Sequence, residues 1–135
     1  MALPNGSGGY QVGAGNSAEA ILGTLGPVTA YTGSTGTIST DDLENGVFSV
    51  DSGGTDAGTY SFAAASLVDA AVSSARVGST FDFFCVNVGD NAANDVTFSG
   101  TGWTIVGSAV VADGTSAHFR ARKTGDAAWT CYRLG

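Results

Sequence analysis

Residues 13–18 hold the first pattern in the chain that could support chemistry. They read Gly-Ala-Gly-Asn-Ser-Ala, which matches the glycine spacing of a dinucleotide-binding turn. Such a turn needs a core strand before it, a sizeable helix after it and a parallel partner strand. Gly23, Gly26 and Pro27 interrupt any helix almost at once. We therefore interpret the match as a coincidence in a Gly-rich segment.

Two further motifs could bind an ion or a glycan. Asp90–Asp95 reads DNAAND and could offer clustered oxygen ligands to Ca²⁺. The EF-hand spacing is absent, and Asn and Asp are ordinary turn residues, so we favour a loop. Asn5-Gly6-Ser7 matches the N-glycosylation pattern, which has meaning only on a secretory route.

The reactive side chains do not form a catalytic set. His118 is the only histidine, and no Ser or Cys motif accompanies it. Cys85 has no second histidine to activate it, and no pair of carboxylates stands out. We predict a protein that is not an enzyme and that uses no cofactor or metal. Cys85 and Cys131 could form a disulfide, but in a reducing compartment we expect two half-buried thiols.

Charge is distributed unevenly along the chain. The formal net charge is −7, and residues 1–75 contain seven acidic residues and no Lys or Arg. Nucleic-acid binding is disfavoured, because phosphate contacts need clustered Lys and Arg. The start of the chain lacks the features of a signal peptide, and no stretch is long and apolar enough to span a membrane. We expect a soluble protein made in a cytoplasm.

The segment Thr80–Val88, which reads TFDFFCVNV, gives the strongest strand signal. Phe81, Phe83 and Cys85 point to one side, and Asp82, Phe84, Val86 and Val88 point to the other. Since both sets are mostly apolar, we expect a central strand that is covered on both faces.

The last two strands, Ser116–Thr124 and Ala127–Arg133, flank Gly125-Asp126 and predict a hairpin. With these two residues as the loop, Arg122 would face Trp129. One face would then carry Phe119, Ala121, Thr130, Tyr132 and Leu134. The other would be a basic outer face with His118, Arg120, Arg122, Trp129, Cys131 and Arg133. A slip of one residue would exchange the faces of one strand.

The rest of the chain predicts a Gly-rich N-terminal arm over residues 1–26 and one β domain over residues 27–135. Thr40–Gly46 resembles one helical turn, capped by Thr40 or Asp41 and closed by Gly46. Ser66–Ala75 predicts a helix that starts with a capping box formed by Ser66 and Asp69, with Leu67, Ala71 and Val72 facing the sheet. Eight or nine short strands with this helix indicate an all-β fold, a β-sandwich or jelly roll.

Three stretches of the chain carry loose patterns of strand and turn residues. The first stretch is Leu3–Gly13 with Gly15-Asn16. The second runs from Ser39–Leu43 and Asn45–Phe48 through Tyr60–Phe62 to the Ala-rich helix. The third comprises Val77–Phe83, Asn87, Gly100–Trp103, Val106-Gly107, Phe119–Arg122 and Tyr132–Gly135. Together they resemble a family of tailed-bacteriophage capsid decoration (cement) proteins. Similar sequences often carry Leu-Pro where this chain has Phe62-Ala63, just before the helix.

The resemblance implies a structural virion protein on the outer surface of the capsid. It would bind across neighbouring major capsid protein subunits as a homotrimer at a local threefold site. We expect the arm to attach to the shell through its largest side chains, Leu3, Tyr10, Gln11, Val12 and Leu22. The candidates for the subunit contact are Arg120, Arg122, Trp129 and Arg133, and we expect the three arginines to meet acidic groups across that contact.

A carbohydrate- or receptor-binding module of a phage fibre or surface protein is the alternative. Trp103, Trp129, Tyr31 and Tyr60 could form a stacking platform for sugars. Core or interface packing explains the same side chains equally well.

Overall fold

The computed structural model describes residues 28–54 and 56–135, which form two sheets and two short helices. This confirms the all-β class. The elements are β1 (Thr29–Thr32), β2 (Thr35–Ile38), α1 (Thr40–Asn45), β3 (Val47–Asp51), β4 (Gly58–Phe62), α2 (Ala65–Ala71), β5 (Thr80–Asn87), β6 (Val96–Ser99), β7 (Trp103–Val106), β8 (Val110–Val111), β9 (Ser116–Gly125) and β10 (Ala128–Arg133).

The chain alternates between the two sheets. The six-stranded sheet has the order β1-β3-β5-β9-β10-β7, and the four-stranded sheet has the order β2-β4-β6-β8. Along the first part of the chain, successive strands enter the two sheets in turn. Strands β1, β3 and β5 enter the six-stranded sheet and run parallel, and strands β2, β4 and β6 enter the four-stranded sheet and also run parallel. Five of the eight strand pairs are parallel. A jelly roll is antiparallel, so only the sandwich description applies.

The core lies between the sheets and is rich in aromatic side chains that contact one another. Phe62 stacks on Phe98 with ring centroids 5.1 Å apart. Phe83 stacks on Phe119 at 5.4 Å. Strand β5 lies between β3 and β9, so its predicted central position is confirmed. Phe83 and Cys85 are fully buried on its inner side.

Helix α1 is fixed by a buried carboxylate. The predicted turn and its closing Gly46, at φ +84°, are confirmed, but the cap is Ser39 rather than Thr40 or Asp41. Asp42 is only 6% exposed, and its carboxylate accepts hydrogen bonds from the hydroxyls of Thr29, Tyr31 and Ser39. Burial alone raises the pKa of Asp42, but these three donors outweigh it and the pKa falls below its usual value. The carboxylate thereby joins β1 to α1.

Helix α2 differs from its prediction at both ends. It spans Ala65–Ala71, and its N-cap residue makes no side-chain hydrogen bond, so the capping box between Ser66 and Asp69 does not form. The Ala65 N–H is satisfied instead by the Thr101 carbonyl at 2.9 Å. Leu67 is 58% exposed, whereas Val68 is buried and faces the core. The predicted inward face was therefore wrong for Leu67, and also for Ala71, which is exposed.

The final hairpin is confirmed as an element, but its predicted register was wrong by one residue. Trp129 pairs with Lys123, not Arg122, and a bulge lies between Ala128 and Trp129. Asp126 and Ala127 therefore form the loop, and Ala127 adopts a positive φ of +48°. Trp129 and Cys131 join Phe119 and Ala121 on the core face, while Thr130 and Tyr132 move to the outer side.

The burial of Trp129 explains this register. Trp129 is 1% exposed and packs against Phe81 and Trp103. Burying a large apolar side chain contributes about 1.5–3 kcal/mol, against about 1–2 kcal/mol for a left-handed Ala127. Asp69 further stabilises this register, because its carboxylate accepts hydrogen bonds from the Ala127 N–H and the Trp129 indole, each at 2.7 Å. Burial together with these two bonds outweighs the cost of the strained turn.

The two cysteines are free and buried. Cys85 pairs with Ala117 and Cys131 with Ala121, on opposite sides of β9. Strands two apart are separated by about 10 Å, whereas a disulfide needs Cα atoms within about 7 Å. The fold therefore excludes a bond between these two residues.

Candidate interaction surface

The outer face of the six-stranded sheet combines exposed apolar side chains with paired charges. We define the outer face as the side chains that alternation points away from the core: Val28, Ala30, Thr32, Val47, Ser49, Asp51, Thr80, Asp82, Phe84, Val86, Thr104, Val106, Ser116, His118, Arg120, Arg122, Thr130, Tyr132 and Leu134. Parallel strands are normally covered on both sides. Here β1, β3 and β5 are parallel, and their outer side chains include the exposed apolar residues Val47, Phe84 and Val86 among polar ones.

An apolar row crosses this face. We use the term apolar row for Val28, Val47, Phe84 and Leu134, with His118 between the last two. Val47 pairs with Phe84, and Phe84 pairs with His118. The His118 carbonyl accepts the Leu134 N–H at 2.8 Å. Val28 precedes Thr29, whose partner is Phe48, so Val28 lies beside Val47. Their exposed fractions are 62% for Val28, 36% for Val47, 43% for Phe84 and 52% for Leu134.

A group of paired charges lies next to the apolar row. The Asp82 carboxylate accepts hydrogen bonds from Arg120 Nε at 2.7 Å and Arg120 Nη2 at 2.9 Å. His118 Nε2 is 2.9 Å from the same carboxylate, and its ring stacks on Phe84 with centroids 4.3 Å apart. The Arg120 hydrogen bonds, and more weakly His118, lower the pKa of Asp82 to about 2. A charge already paired in this way can be covered by a partner at lower cost than an isolated one.

Arg120 and Arg122 lie on the outer face, as predicted. Arg120 is committed to Asp82 within the chain. Arg122 pairs with Thr80 and Thr130 in neighbouring strands, and it has no ion-pair partner among residues 28–54 and 56–135. Of the two, Arg122 is therefore the cation with unused binding capacity.

Trp129 and Arg133 do not lie on that face, which corrects their predicted position. Trp129 is buried in the core. Arg133 pairs with Phe119 and holds its guanidinium 5.5 Å from the Phe119 ring centroid. The guanidinium donates to the carbonyls of Val110, Ser108 and Gly135. Arg133 thus links β10 to Val110 in β8 and to Ser108 just before it. It is therefore not available as a counterpart for acidic groups.

The arm residues assigned to shell attachment, Leu3, Tyr10, Gln11, Val12 and Leu22, lie outside the described residues. The dinucleotide-like motif at residues 13–18 and the sequon at Asn5 lie outside them as well.

The proposed sugar platform does not form on the surface. Trp129 and Tyr60 are each 1% exposed, and Tyr31 and Trp103 are partly buried against the core. The Trp103 indole donates to the Ala63 carbonyl at 2.8 Å. The exposed side of the four-stranded sheet instead carries ladders of hydroxyls, because parallel strands place Thr35, Thr59 and Thr97 side by side. An open groove of about 380 Å³ lies there, lined by Thr35, Gly36, Thr37, Thr59, Tyr60, Ser61 and Ser99.

The remaining chemical candidates are buried cysteines and residues of the Asp90–Asp95 loop. Burial raises the pKa of Cys85 and of Cys131 to about 12, which makes each a poor nucleophile. In the Asp90–Asp95 loop, Asp95 accepts the Asp113 N–H at 3.2 Å and Asn94 is buried. No group of three His, Cys, Asp or Glu residues in the described part of the chain is arranged to hold a metal ion.

Sequence reasoning did not identify Val47, Phe84 and Val86 as surface residues. The signal is the apolar pattern on both sides of Thr80–Val88, from which the sequence predicts burial on both faces. Phe84 and Val86 are 43% and 37% exposed, so that part of the prediction was wrong for the described chain. Strand β5 therefore has two largely apolar sides, of which only the inner one is buried in the described chain.

Comparison with protein-family models, curated proteins and solved structures finds no match to this chain. Among the described residues, no helix is long and apolar enough to cross a membrane.

Proposed function

We propose that this protein decorates and stabilises a bacteriophage capsid by binding across neighbouring major capsid protein subunits. It acts as a structural protein of the virion, without catalysis or cofactor, after synthesis in the cytoplasm of the bacterial host. The resemblance of its strand-and-turn pattern to capsid decoration proteins motivates the proposal.

The outer face is the observation that carries the proposal. A decoration protein needs contact area on adjoining shell subunits. The outer face offers exposed Val47, Phe84 and Val86 on a rigid sheet. Its central carboxylate, Asp82, is already neutralised by Arg120. Because the chain carries a net charge of −7, this locally balanced face is well suited to close contact. Contiguous exposed apolar surface of this kind is typical of binding sites.

A closed trimer fits the same proposal. A heterologous contact closes into a ring when the rotation allows it. Arg122 on one copy would meet a carboxylate of the next, and the exposed acids of α1, Asp41 and Glu44, are suitable counterparts. Three arms acting together would gain avidity on the shell.

The test is decoration of purified capsids that lack their native decoration. Phe84→Ser removes the largest exposed apolar side chain of the outer face, and Leu67→Ser removes an apolar side chain on α2 that is even more exposed, as a control. We expect Phe84→Ser to weaken capsid binding by about ten-fold or more, as a central contact does, and Leu67→Ser to bind normally. Equal binding by both variants would contradict the role of the outer face. Failure of the wild-type chain to bind, with light scattering showing only monomer, would contradict the function.

Carbohydrate binding is a second candidate, favoured by one observation. The groove on the four-stranded sheet is lined by hydroxyls and by no charged side chain, which suits a neutral, hydroxyl-rich ligand. A glycan array separates the two candidates, because a decoration protein binds capsids irrespective of glycan. Thr59→Val should abolish glycan binding and leave capsid binding intact.

A further inference from the structure

The exposed side of the four-stranded sheet carries two parallel rows of hydroxyls, which we call the hydroxyl rows. The first row consists of Thr35, Thr59 and Thr97, and the second of Thr37, Ser61 and Ser99. The rows arise because β2, β4 and β6 each contain a Thr followed two positions later by Thr or Ser. Since these strands are parallel and in register, the same pattern recurs side by side on three strands.

The hydroxyl rows form the walls of the groove on this sheet. Gly36 and Tyr60 lie between the rows and form its floor. The Tyr60 hydroxyl donates to the Gly33 carbonyl at 2.6 Å, and the residue is 1% exposed. A ligand in the groove would therefore meet the hydroxyl rows rather than an aromatic ring.

The spacing of the hydroxyls favours a ligand that repeats along its length. Neighbouring members of one row lie on strands about 4.8 Å apart, and the two rows are about 6.6 Å apart, or two residues. The spacing along a row is close to the length of one hexopyranose unit in an extended chain. Four of the six residues are Thr, whose β-branched side chain is restricted at χ1. Their hydroxyls are therefore held in place before a ligand arrives, which lowers the cost of binding.

The charge around the groove favours a neutral ligand. Among the described residues, no charged side chain lines the groove. The net charge of −7 on the chain would repel an anionic polymer. Thr37 and Ser61 are hydrogen-bonded to each other at 3.2 Å. A hydroxyl has one donor and two acceptor sites, so both can still bind a ligand.

We propose that this groove binds a linear, neutral polysaccharide whose chain runs across β2, β4 and β6, with about one sugar unit per strand. The inference rests on the carbohydrate candidate described above and deepens it, because it names a polymer in a defined direction. The core separates the four-stranded sheet from the outer face. Polysaccharide binding therefore leaves Phe84 and Arg122 free for the shell and for the next copy.

A chain-length series tests the proposal on the full chain. The probes are cello-, manno- and chito-oligosaccharides from the monosaccharide to the hexamer, and NMR titration gives each Kd. We expect the Kd to fall about five-fold with each added unit, the gain from one further hydrogen bond, until about three units span the strands. Oligogalacturonides of the same lengths, which are linear but anionic, should bind much more weakly.

Variants of the first hydroxyl row test the direction of the chain. Thr35→Val combined with Thr97→Val removes the hydroxyls on both sides of Thr59 and should remove most of the gain with length. Thr59→Ser keeps the central hydroxyl and should bind like the wild type. Thr101→Val, at an exposed turn position outside the groove, is the matched control. Circular dichroism checks that each variant is folded.

The outcomes separate this inference from the carbohydrate candidate on which it rests. Equal affinity for monosaccharides and trimers would overturn the extended chain and leave carbohydrate binding in place. Tighter binding of the oligogalacturonides would overturn the neutral class. A gain with length that survives in the double variant would place the site elsewhere on the molecule. No binding of any oligosaccharide would reject both the inference and the carbohydrate candidate, while capsid binding is measured separately.

Discussion

Asp82 is the residue whose ionisation most directly ties the outer face to stability. Its folded pKa of about 2 lies below the usual value of about 3.9, so the ionised form is favoured in the folded state. The stabilisation is therefore complete above about pH 4 and is lost as pH falls towards 2. The Asp82 side chain is 31% exposed, and solvent screening limits the effect to about 1 kcal/mol.

The first prediction follows from the lowered pKa of Asp82 in the folded state. Asp82→Asn should lower the free energy of unfolding at pH 7 by about 1 kcal/mol and should flatten the loss of stability between about pH 4 and pH 2. Urea titrations at several pH values measure both effects. Asp90→Asn, at an exposed loop position, is the control. Identical acid profiles for Asp82→Asn and the wild type would refute the assignment.

Cys85 and Cys131 provide a second prediction at the residue scale. Both thiols are buried, and their raised pKa leaves almost no thiolate at neutral pH. We expect no alkylation of the folded protein. Without any reductant, two alkyl additions should appear after denaturation, as measured by intact mass. Fewer than two additions would mean that one or both sulfurs are already oxidised or modified.

At the scale of elements, the hairpin of β9 and β10 shows how a packing requirement sets a turn. Asp69 on α2 holds the loop through the Ala127 N–H and holds the strand through the Trp129 indole. Lys123 lies 3.0 Å from the same carboxylate. The hydrogen bond from the Ala127 N–H is the main cause that lowers the pKa of Asp69. Helix, loop and strand are thus joined at one side chain.

The strain at Ala127 leads to a third prediction. Ala127 is the only residue other than Gly with positive φ in the described ranges. Ala127→Gly relieves the left-handed conformation and keeps the N–H that binds Asp69, so we expect stability to rise by about 0.5–1 kcal/mol. Ala93→Gly, in an exposed loop without positive φ, should be neutral or destabilising. Chemical denaturation compares the two, and a loss of stability in Ala127→Gly would show that the turn is unstrained.

At the scale of the whole molecule, strands alternate between two sheets, and we expect this β domain to fold without the N-terminal segment. Among the described residues, the sheets share a continuous core that is rich in aromatic side chains. The side chains predicted to attach to the shell lie mainly in the first twelve residues. Ordering an arm costs about 1–2 kcal/mol of backbone entropy per residue. Contacts with a surface must offset this cost if the arm is to attach.

This separation leads to a fourth prediction. Deleting residues 1–20 should leave the β domain folded, as judged by circular dichroism and melting. The truncated protein should lose most of its affinity for capsids that lack native decoration. If it binds them as tightly as the full chain, attachment must lie in the outer face or in the loops, such as residues 52–58 and 89–94.

The sequence by itself determined the all-β class, the short helix closed by Gly46, the central strand β5 and the existence of the last hairpin. These depend on local signals: alternation, turn residues and caps act within a few positions of the chain. The resemblance to decoration proteins and the arm also came from sequence, and they remain predictions.

The tertiary structure alone decided the register of the last hairpin, the parallel order of the strands and the exposure of the outer face. The register depended on the burial of Trp129 and on Asp69, which lies 60 residues away. The strand order depended on which of the two sheets each strand enters. The alternation of apolar and polar side chains along a strand does not contain this information. Phe84 and Val86 have the pattern of buried residues, and only the position of the neighbouring strands shows that nothing in the described chain covers them.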